Sequence, residues 1–407
     1  MPATPPMALT GLRIADFTQV IAGPYGMQLM AYAGAEVIKV ESTRRPDSFR
    51  QPGYGVYGQG INSARPFAEF NRNKRSVSVD MGTGDGRTLI KRLVAVSDVV
   101  VENFSHGVMN RWGFDYPSLD QIAPGIIMLS AQGMGQDGPR RDWVTYGPSL
   151  LAYSGFTWVW NHPDQPEPTG SQVALPDYLA SVYAALAIIA ALDHRRRTGQ
   201  GQHILLAQVA TAASLLPTTL LEYFVNHHVT PPRGNTSPFF APYGLYPCRG
   251  EDRWCAITVT SEEEWQSLRR TLGDPPWTAD ARFVDMPGRV QHRADLDALL
   301  AGWTQAHDAH EVMRLLQAEG VPAGAVQNAK DLFNDPHLRE RGMLTEVEHP
   351  EMPPLTFPGI PYRMSATPPR LLRHAPLLGH DNDYVFRELL GLTQAEIKRL
   401  VEREVII

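Results

Sequence analysis

The feature that most narrows the fold is a change of hydrophobic period near the start of the chain. Residues 12–41, LRIADFTQVIAGPYGMQLMAYAGAEVIKVE, begin and end with short β-type apolar runs and carry a helix-length segment between them. That pattern is a βαβ unit. Further strand candidates are Ser76–Val79, Val99–Glu102 and Ile126–Ala131, with a helical stretch over Gly86–Ser97 between the first two. The opening part of the chain therefore predicts a parallel α/β structure. An almost wholly apolar helix from Pro176 to about Arg197 follows, and Gly199 offers it a left-handed stop.

Past residue 205 the texture changes. Ala207–His227 reads as another long helix, and Pro231–Pro242 is dense in Pro, Gly, Asn and Ser, as in a linker or loop. Gly244–Cys248 and Trp254–Val259, split by the turn-like RGED, suggest a hairpin that opens a smaller α+β unit. Helices over Glu262–Leu272, Arg293–Gln305 and Ala309–Glu319 complete it. From Leu344 to His380 the chain is Pro-rich with little periodicity, an extended wrapping segment, and it ends in a charged helix, Thr393–Glu404.

A length of 407 residues suggests two or three compact units. The net charge of −6 argues against a broad cationic face for nucleic acid or anionic lipid. With only two cysteines, Cys248 and Cys255, a disulfide scaffold is excluded and a reducing, cytoplasmic setting is expected. The first residues lack the charged and apolar regions of a secretory signal. The longest apolar run, Tyr178 to Leu192, is shorter than the roughly 20 residues that cross a bilayer, so a buried core helix and no membrane are expected.

Several standard sites are absent: HExxH, a CxxC pair, a Walker lysine loop and a GxSxG elbow. No metal site is expected. GMGQDG at 133–138 satisfies G-x-G-x-x-G, but Pro139, Arg140, Arg141 and Asp142 follow it where a dinucleotide site needs a helix N-terminus. Asp177 is the informative carboxylate. An Asp at a helix start most often caps free backbone N–H groups. Here the helix behind it, YLASVYAALAIIAAL, is oily, so the acid is partly desolvated while facing the positive end of the dipole. An ionised but poorly hydrated carboxylate is a good nucleophile toward a thioester.

Six stretches together resemble the family III CoA-transferases, the group of formyl-CoA:oxalate and crotonobetainyl-CoA:carnitine CoA-transferases. They are LTGLRIADFTQVIAGPYGMQLMAYAGAEVIKVE, FNRNKRSVSVDM, SDVVVENFSHGVMNRWGFDY, SAQGMGQDGP, ALPDYLASVYAALAIIAALDHRRRTGQGQ and PLLGHDNDYVFRELLG, in the family's order over nearly the whole chain. The resemblance implies an α/β fold with a Rossmann-like large domain built from both chain ends and a smaller α+β domain between them. On that plan residues 1–205 begin the large domain, 206–240 are a linker helix and loop, 241–330 the small domain and 331–407 the return segment. Each subunit is then an open ring, and two interlock as a homodimer; a heteromer with a related subunit is the other possibility.

The resemblance also implies a mechanism at one aspartate. Asp177 attacks an acyl-CoA to give an acyl–aspartyl anhydride, the released thiolate returns to form an aspartyl-CoA thioester, and a second carboxylic acid takes over the coenzyme. Acyl-CoA and a carboxylic acid are the partners, coenzyme A is a substrate, and no permanently bound cofactor is implied. Carried over by position, the CoA site uses Val20, Ile21 and Ala22, the backbone around Val79–Met81 (Val79 and Met81), and Asn103, Phe104 and Ser105; Arg111 meets the phosphates and Tyr146 lies near the thioester.

Some positions depart from the pattern. Ser42 stands where formyl-CoA transferase carries an arginine, with Arg44 and Arg45 as possible substitutes, Gly82 replaces a lysine, and Pro176 replaces the usual glycine before the aspartate. An α-methylacyl-CoA racemase of the same fold is the nearest rival, but VTYGPSLLAYSG lacks its histidine. A non-catalytic CoA-binding subunit is the other alternative. ESTRRPDSFR, PFAEFNRNKR, PYGLYPCRGEDRW and SEEEW look like the succinyl-CoA-dependent benzylsuccinate branch, which implies a dicarboxylate or arylsuccinate substrate, with Trp158, Trp160, Phe239 and Phe240 as a possible acyl pocket.

Overall fold

The computed structural model describes residues 5–51 and 60–407. The described residues divide into two compact units. Segments 5–51, 60–157, 170–229 and 338–407 make the first, and segments 158–169 and 230–337 the second.

The first unit is built on six parallel strands: β1 (Arg13–Asp16), β2 (Glu36–Glu41), β3 (Arg75–Ser78), β4 (Val99–Glu102), β5 (Ile127–Gln132) and β6 (Gln202–Ala207). Their order is β3-β2-β1-β4-β5-β6, so the direction of winding reverses between β1 and β4. VVVE in β4 and IMLSAQ in β5 are buried throughout, which explains why these strands are continuous apolar runs and not alternating ones.

Its helices include α1 (Ala22–Tyr32), α2 (Gly84–Val94), α3 (Val108–Trp112), α4 (Gly147–Tyr153), α5 (Leu175–Thr198), α6 (Gln208–Ala213) and α7 (Pro217–Asn226). One face of the sheet is covered by α2 and by Val385, Phe386, Leu392, Val405 and Ile406 from the far end of the chain. The other is covered by α1 and α5, through Met27, Met30, Ala180, Ala184 and Ile188. The two helices approach closely because Gly26 has no side chain: a Cβ there would lie 2.7 Å from the Ser181 carbonyl oxygen. α5 is long and apolar enough to cross a bilayer, but its Ala180–Ala191 stripe is core of this unit.

The second unit holds a three-stranded antiparallel sheet, β7 (Tyr243–Pro247), β8 (Trp254–Thr258) and β9 (Ala323–Ala325), in the order β7-β8-β9. Helices α8 (Glu262–Leu272), α9 (Arg293–Thr304) and α10 (Ala309–Ala318) complete it. Its core is apolar, with Trp265, Leu268, Phe283, Leu300 and Val312 at the centre. Reciprocal caps, Ser261 with Glu264 and Asp308 with Glu311, start α8 and α10.

The observed organisation departs from the sequence expectation in specific places. The long helix expected over 207–227 is two, because Pro217 cannot continue the first and instead starts the second. Gln202–Ala207 is a sixth strand, paired to β5. The linker range 206–240 divides between units at 229/230, and residues 158–169 belong with the second unit. Within the expected extended segment, Leu344–His349 and Met352–Pro358 form an antiparallel hairpin.

Candidate active site

In an open parallel sheet the loops leaving neighbouring strands on either side of the winding reversal turn apart and leave a crevice at the strand carboxyl ends. Here those loops follow β1 and β4. Asn103 ties them together: its Oδ1 accepts from the Gln19 amide at 2.8 Å and its Nδ2 donates to the Gln19 carbonyl at 2.9 Å. Val20 follows with φ 69°, Ile21 is the N-cap of α1, and Ala22 begins the helix. Beyond β4, the Phe104 amide donates to Glu102 Oε2 at 2.8 Å and the Phe104 ring meets Trp112 edge-on at 5.4 Å. Ser105 is exposed on the same loop, and Arg111 is exposed on the short helix after it, its guanidinium making no hydrogen bond or ion pair among the described residues. Val20, Ile21, Ala22, Asn103, Phe104, Ser105 and Arg111 thus all belong to the loops and first turns at this end of the sheet.

Three other expected residues are placed differently. Arg44 is already paired, to Asp80 at 2.7 Å and Glu404 at 2.6 Å. The side chains of Val79 and Met81 are buried in the core. The backbone there is partly occupied: the Val79 amide donates to the Glu41 carbonyl, the Asp80 amide to the Val405 carbonyl, and the Met81 carbonyl accepts from Arg87. The strand edge at 78–80 is paired with the chain's own last residues, while the Val79 carbonyl and the Met81 amide have no hydrogen bond among the described residues.

Asp177 sits in the first turn of α5 and is buried to 9% exposure. Capping was its ordinary explanation, yet no side chain caps this helix. The Asp177 carboxylate has no hydrogen bond or ion pair among the described residues, and burial pushes its pKa up to about 6. A buried carboxylate with no donor or cation is costly, and such groups concentrate at functional sites.

Two contacts place it. One turn on, Ser181 Oγ donates to the Asp177 carbonyl at 2.8 Å and to the Ala22 carbonyl at 2.6 Å, fixing the head of α5 to the start of α1. Gly147 opens α4, and a Cβ on it would lie 2.4 Å from Asp177 Oδ2 and 2.5 Å from Ala174 Cβ. Tyr146, immediately before, is two-thirds exposed. Sequence reasoning passed over Gly147, Ser181, Gly26 and Glu102; a glycine or serine carries no periodic signal, and the closeness of α1, α4 and α5 is tertiary.

Beneath the β1 loop lies a layer of buried ions. Lys74 Nζ meets Asp16 at 3.0 Å and Asn71 at 2.9 Å, and Lys39 meets Asp47 at 3.2 Å. Burial lowers the Lys74 pKa to about 8 despite Asp16. For Asp16, burial acts upward, but Lys74 and Lys39 hold it below its ordinary range. Trp158, Trp160, Phe239 and Phe240 lie in the second unit, the first three well exposed. Among the described residues no cluster of His, Cys, Asp or Glu is placed to hold a metal ion, and both cysteines are buried free thiols.

Comparison with known proteins bears on this arrangement. Residues 9–382 match CoA-transferase family III. The chain is similar to the succinyl-CoA–D-citramalate CoA-transferase of Chloroflexus aurantiacus, 34% identical over 402 residues, which is 99% of each chain. It is similar to the succinate–glutarate CoA-transferase of Agrobacterium fabrum, 32% identical over 94% of this chain and 95% of that one. Among solved structures, a CaiB/BaiF family protein from Brucella suis superposes with a TM-score of 0.86 at 32% identity, covering 94% of this chain and 100% of the other. With a match over nearly all its length and named relatives of the same activity, the chain belongs to CoA-transferase family III and is a CoA-transferase.

Proposed function

We propose that this enzyme moves coenzyme A from succinyl-CoA to a second, aliphatic dicarboxylic acid, with Asp177 as the nucleophile. The observation that carries the reading is the Asp177 carboxylate itself: buried, uncapped and unpaired among the described residues, at the head of α5 beside the β1 loop. Its oxygen attacks the thioester carbonyl of the donor, forming the succinyl–aspartyl anhydride and expelling the CoA thiolate. The thiolate then attacks the aspartyl carbonyl of the anhydride, releasing succinate and leaving an aspartyl-CoA thioester. The acceptor carboxylate attacks that thioester, and the freed thiolate attacks the acceptor's carbonyl in the new anhydride. Asp177 leaves as carboxylate and the product thioester departs. The overall reaction exchanges one CoA thioester for another of similar energy, so the protein's task is to position the partners, to stabilise the anhydrides and to keep water from them.

Val20, Ile21, Ala22, Asn103, Phe104 and Ser105 seat the coenzyme, Arg111 meets its phosphates, and Tyr146 flanks the thioester. An unpaired, exposed arginine suits phosphate recognition. Arg44 reaches a phosphate only by leaving Asp80 and Glu404, and Val79 and Met81 underlie the site as packing. The donor and acceptor classes rest on the relatives named for succinyl-CoA with D-citramalate and for succinate with glutarate. Of the two acceptor classes expected from the sequence, a dicarboxylate or an arylsuccinate, their names favour the aliphatic dicarboxylate.

The assembly belongs to the same proposal. Val182, Leu186 and Ile189 of α5 and Leu220, Leu221 and Phe224 of α7 are exposed apolar side chains, more than a solitary protomer ordinarily shows. A second copy covers them in a homodimer of the interlocked kind that the family resemblance implies. The test is to incubate the enzyme with succinyl-CoA, reduce with borohydride and map the adduct by mass spectrometry. Reduction at Asp177 is expected, and an Asp177→Ala protein that still turns over would sink the proposal.

A further inference from the structure

The buried ion pairs beneath the β1 loop are no part of the proposed exchange chemistry, yet they reach Thr18 and Val20, on either side of Gln19. Asp16 Oδ1 accepts from the Thr18 amide at 2.9 Å and from Thr18 Oγ1 at 2.5 Å. Lys39 Nζ donates to the Thr18 carbonyl at 2.5 Å. Asn103 takes both backbone groups of Gln19. Both Asp47 oxygens receive the Val20 amide, at 3.2 and 3.3 Å. Asp47 is itself held by Lys39 and by the Phe49 amide at 3.1 Å.

Val20 has φ 69°. A β-branched residue seldom adopts that left-handed conformation, and one that does is held there by its surroundings. Buried ion pairs are weak stabilisers, often no better than apolar packing of the same volume. Their convergence on a strained loop therefore calls for another reason than stability. We propose that Asp47, backed by Lys39, is a positioning residue for acyl-CoA, holding Val20 in its left-handed conformation so that the loop 19–22 keeps the shape that receives the coenzyme. The inference rests on the reading that this loop seats acyl-CoA.

The test compares full-length variants by KM for succinyl-CoA, kcat and thermal stability. Lys39→Met/Asp47→Leu replaces the ion pair with apolar volume and removes the acceptor for the Val20 amide. Its KM should rise about tenfold or more while kcat changes less than about twofold. Asp47→Asn keeps an acceptor oxygen and should hold KM within about threefold of the parent. Adding Val20→Gly to the double variant should recover much of the lost affinity, since glycine takes positive φ without a clamp. A merely structural role predicts a change in melting temperature with no KM shift and no rescue.

Ile21→Trp separates this from the underlying reading, because it obstructs the loop directly. If Ile21→Trp raises KM but the folded Lys39→Met/Asp47→Leu protein matches the parent, the positioning role is overturned. If Ile21→Trp also leaves KM unchanged, the loop does not seat the coenzyme and both readings fall.

Discussion

In the second unit, Arg289 is the one charged side chain among the described residues that is buried; it lies over the Trp265 ring and pairs with Glu262. The first unit buries Asp16, Lys39, Glu41, Asp47, Arg50, Arg72, Lys74, Asp80, Glu102, Asp177 and Asp381. Ordinary cores avoid such groups unless they are paired. One unit is thus stabilised much as any small α+β domain is. The other carries an ionic layer between its apolar core and its loops, and Asp177 is the member of that layer left without a partner among the described residues. The difference separates charges kept for packing from a charge kept for chemistry.

Asp177→Asn gives the largest effect and the sharpest form of that contrast. kcat should fall by at least about a thousandfold, since an amide is no nucleophile here. The same change should raise stability at neutral pH, by roughly 2–3 kcal/mol, because it removes the cost of a buried, unpaired anion. In the parent enzyme, turnover should climb as pH passes about 6 and then level off, since the anion is the attacking form. Stability runs the opposite way. The folded carboxyl holds its proton more tightly than a free one at 3.8, so the protonated form's advantage is lost as pH rises from about 4 through about 6. A pH profile of kcat beside thermal melts of both proteins checks the pair; a less stable Asp177→Asn protein contradicts the contrast.

Gly147→Ala should come next. Its Cβ would press on Asp177 Oδ2 and Ala174, so kcat should drop about a hundredfold with a stability loss of about 1–3 kcal/mol from overpacking. Normal kcat in this variant would mean the carboxylate does not work from the observed position. Arg111→Ala should raise KM for succinyl-CoA about tenfold and leave kcat alone, in keeping with one lost phosphate contact. The smallest effect on activity belongs to Arg289→Met in the second unit. Stability should fall by about 1–3 kcal/mol because the Ala241 and Phe283 carbonyls lose their donor, while kcat/KM of the folded protein stays within about twofold. A large kinetic loss there would show that the second unit's buried charge is also tied to catalysis.

Most of the first unit's frame was legible because a strand buried on both faces leaves a continuous apolar run. β4 and β5 announce themselves in this way, β1 and β2 by the short apolar pairs that flank a helix-length segment, and α5 by its oily length. The hairpin of β7 and β8 and the three helices after it were readable from turn residues and helical period. β6 was hidden, since an exposed edge strand such as QHILLA carries a mixed pattern, and β9 has only three residues. The division of 207–227 turned on Pro217, whose effect on a helix depends on whether the chain needs to continue or to start there.

The order of residues by itself determined the parallel α/β class, the place of Asp177 at a helix head and, through its family motifs, the loops expected to meet coenzyme A. Those are local or pattern properties, written into spacing and composition. Tertiary structure alone decided that Asp177 caps nothing, that Gly147 makes room for it, that Arg44 is already taken and that Asp47 reaches Val20. The physical reason is that partnership and desolvation are set by groups far apart in the chain, and no window of sequence records which of them will meet.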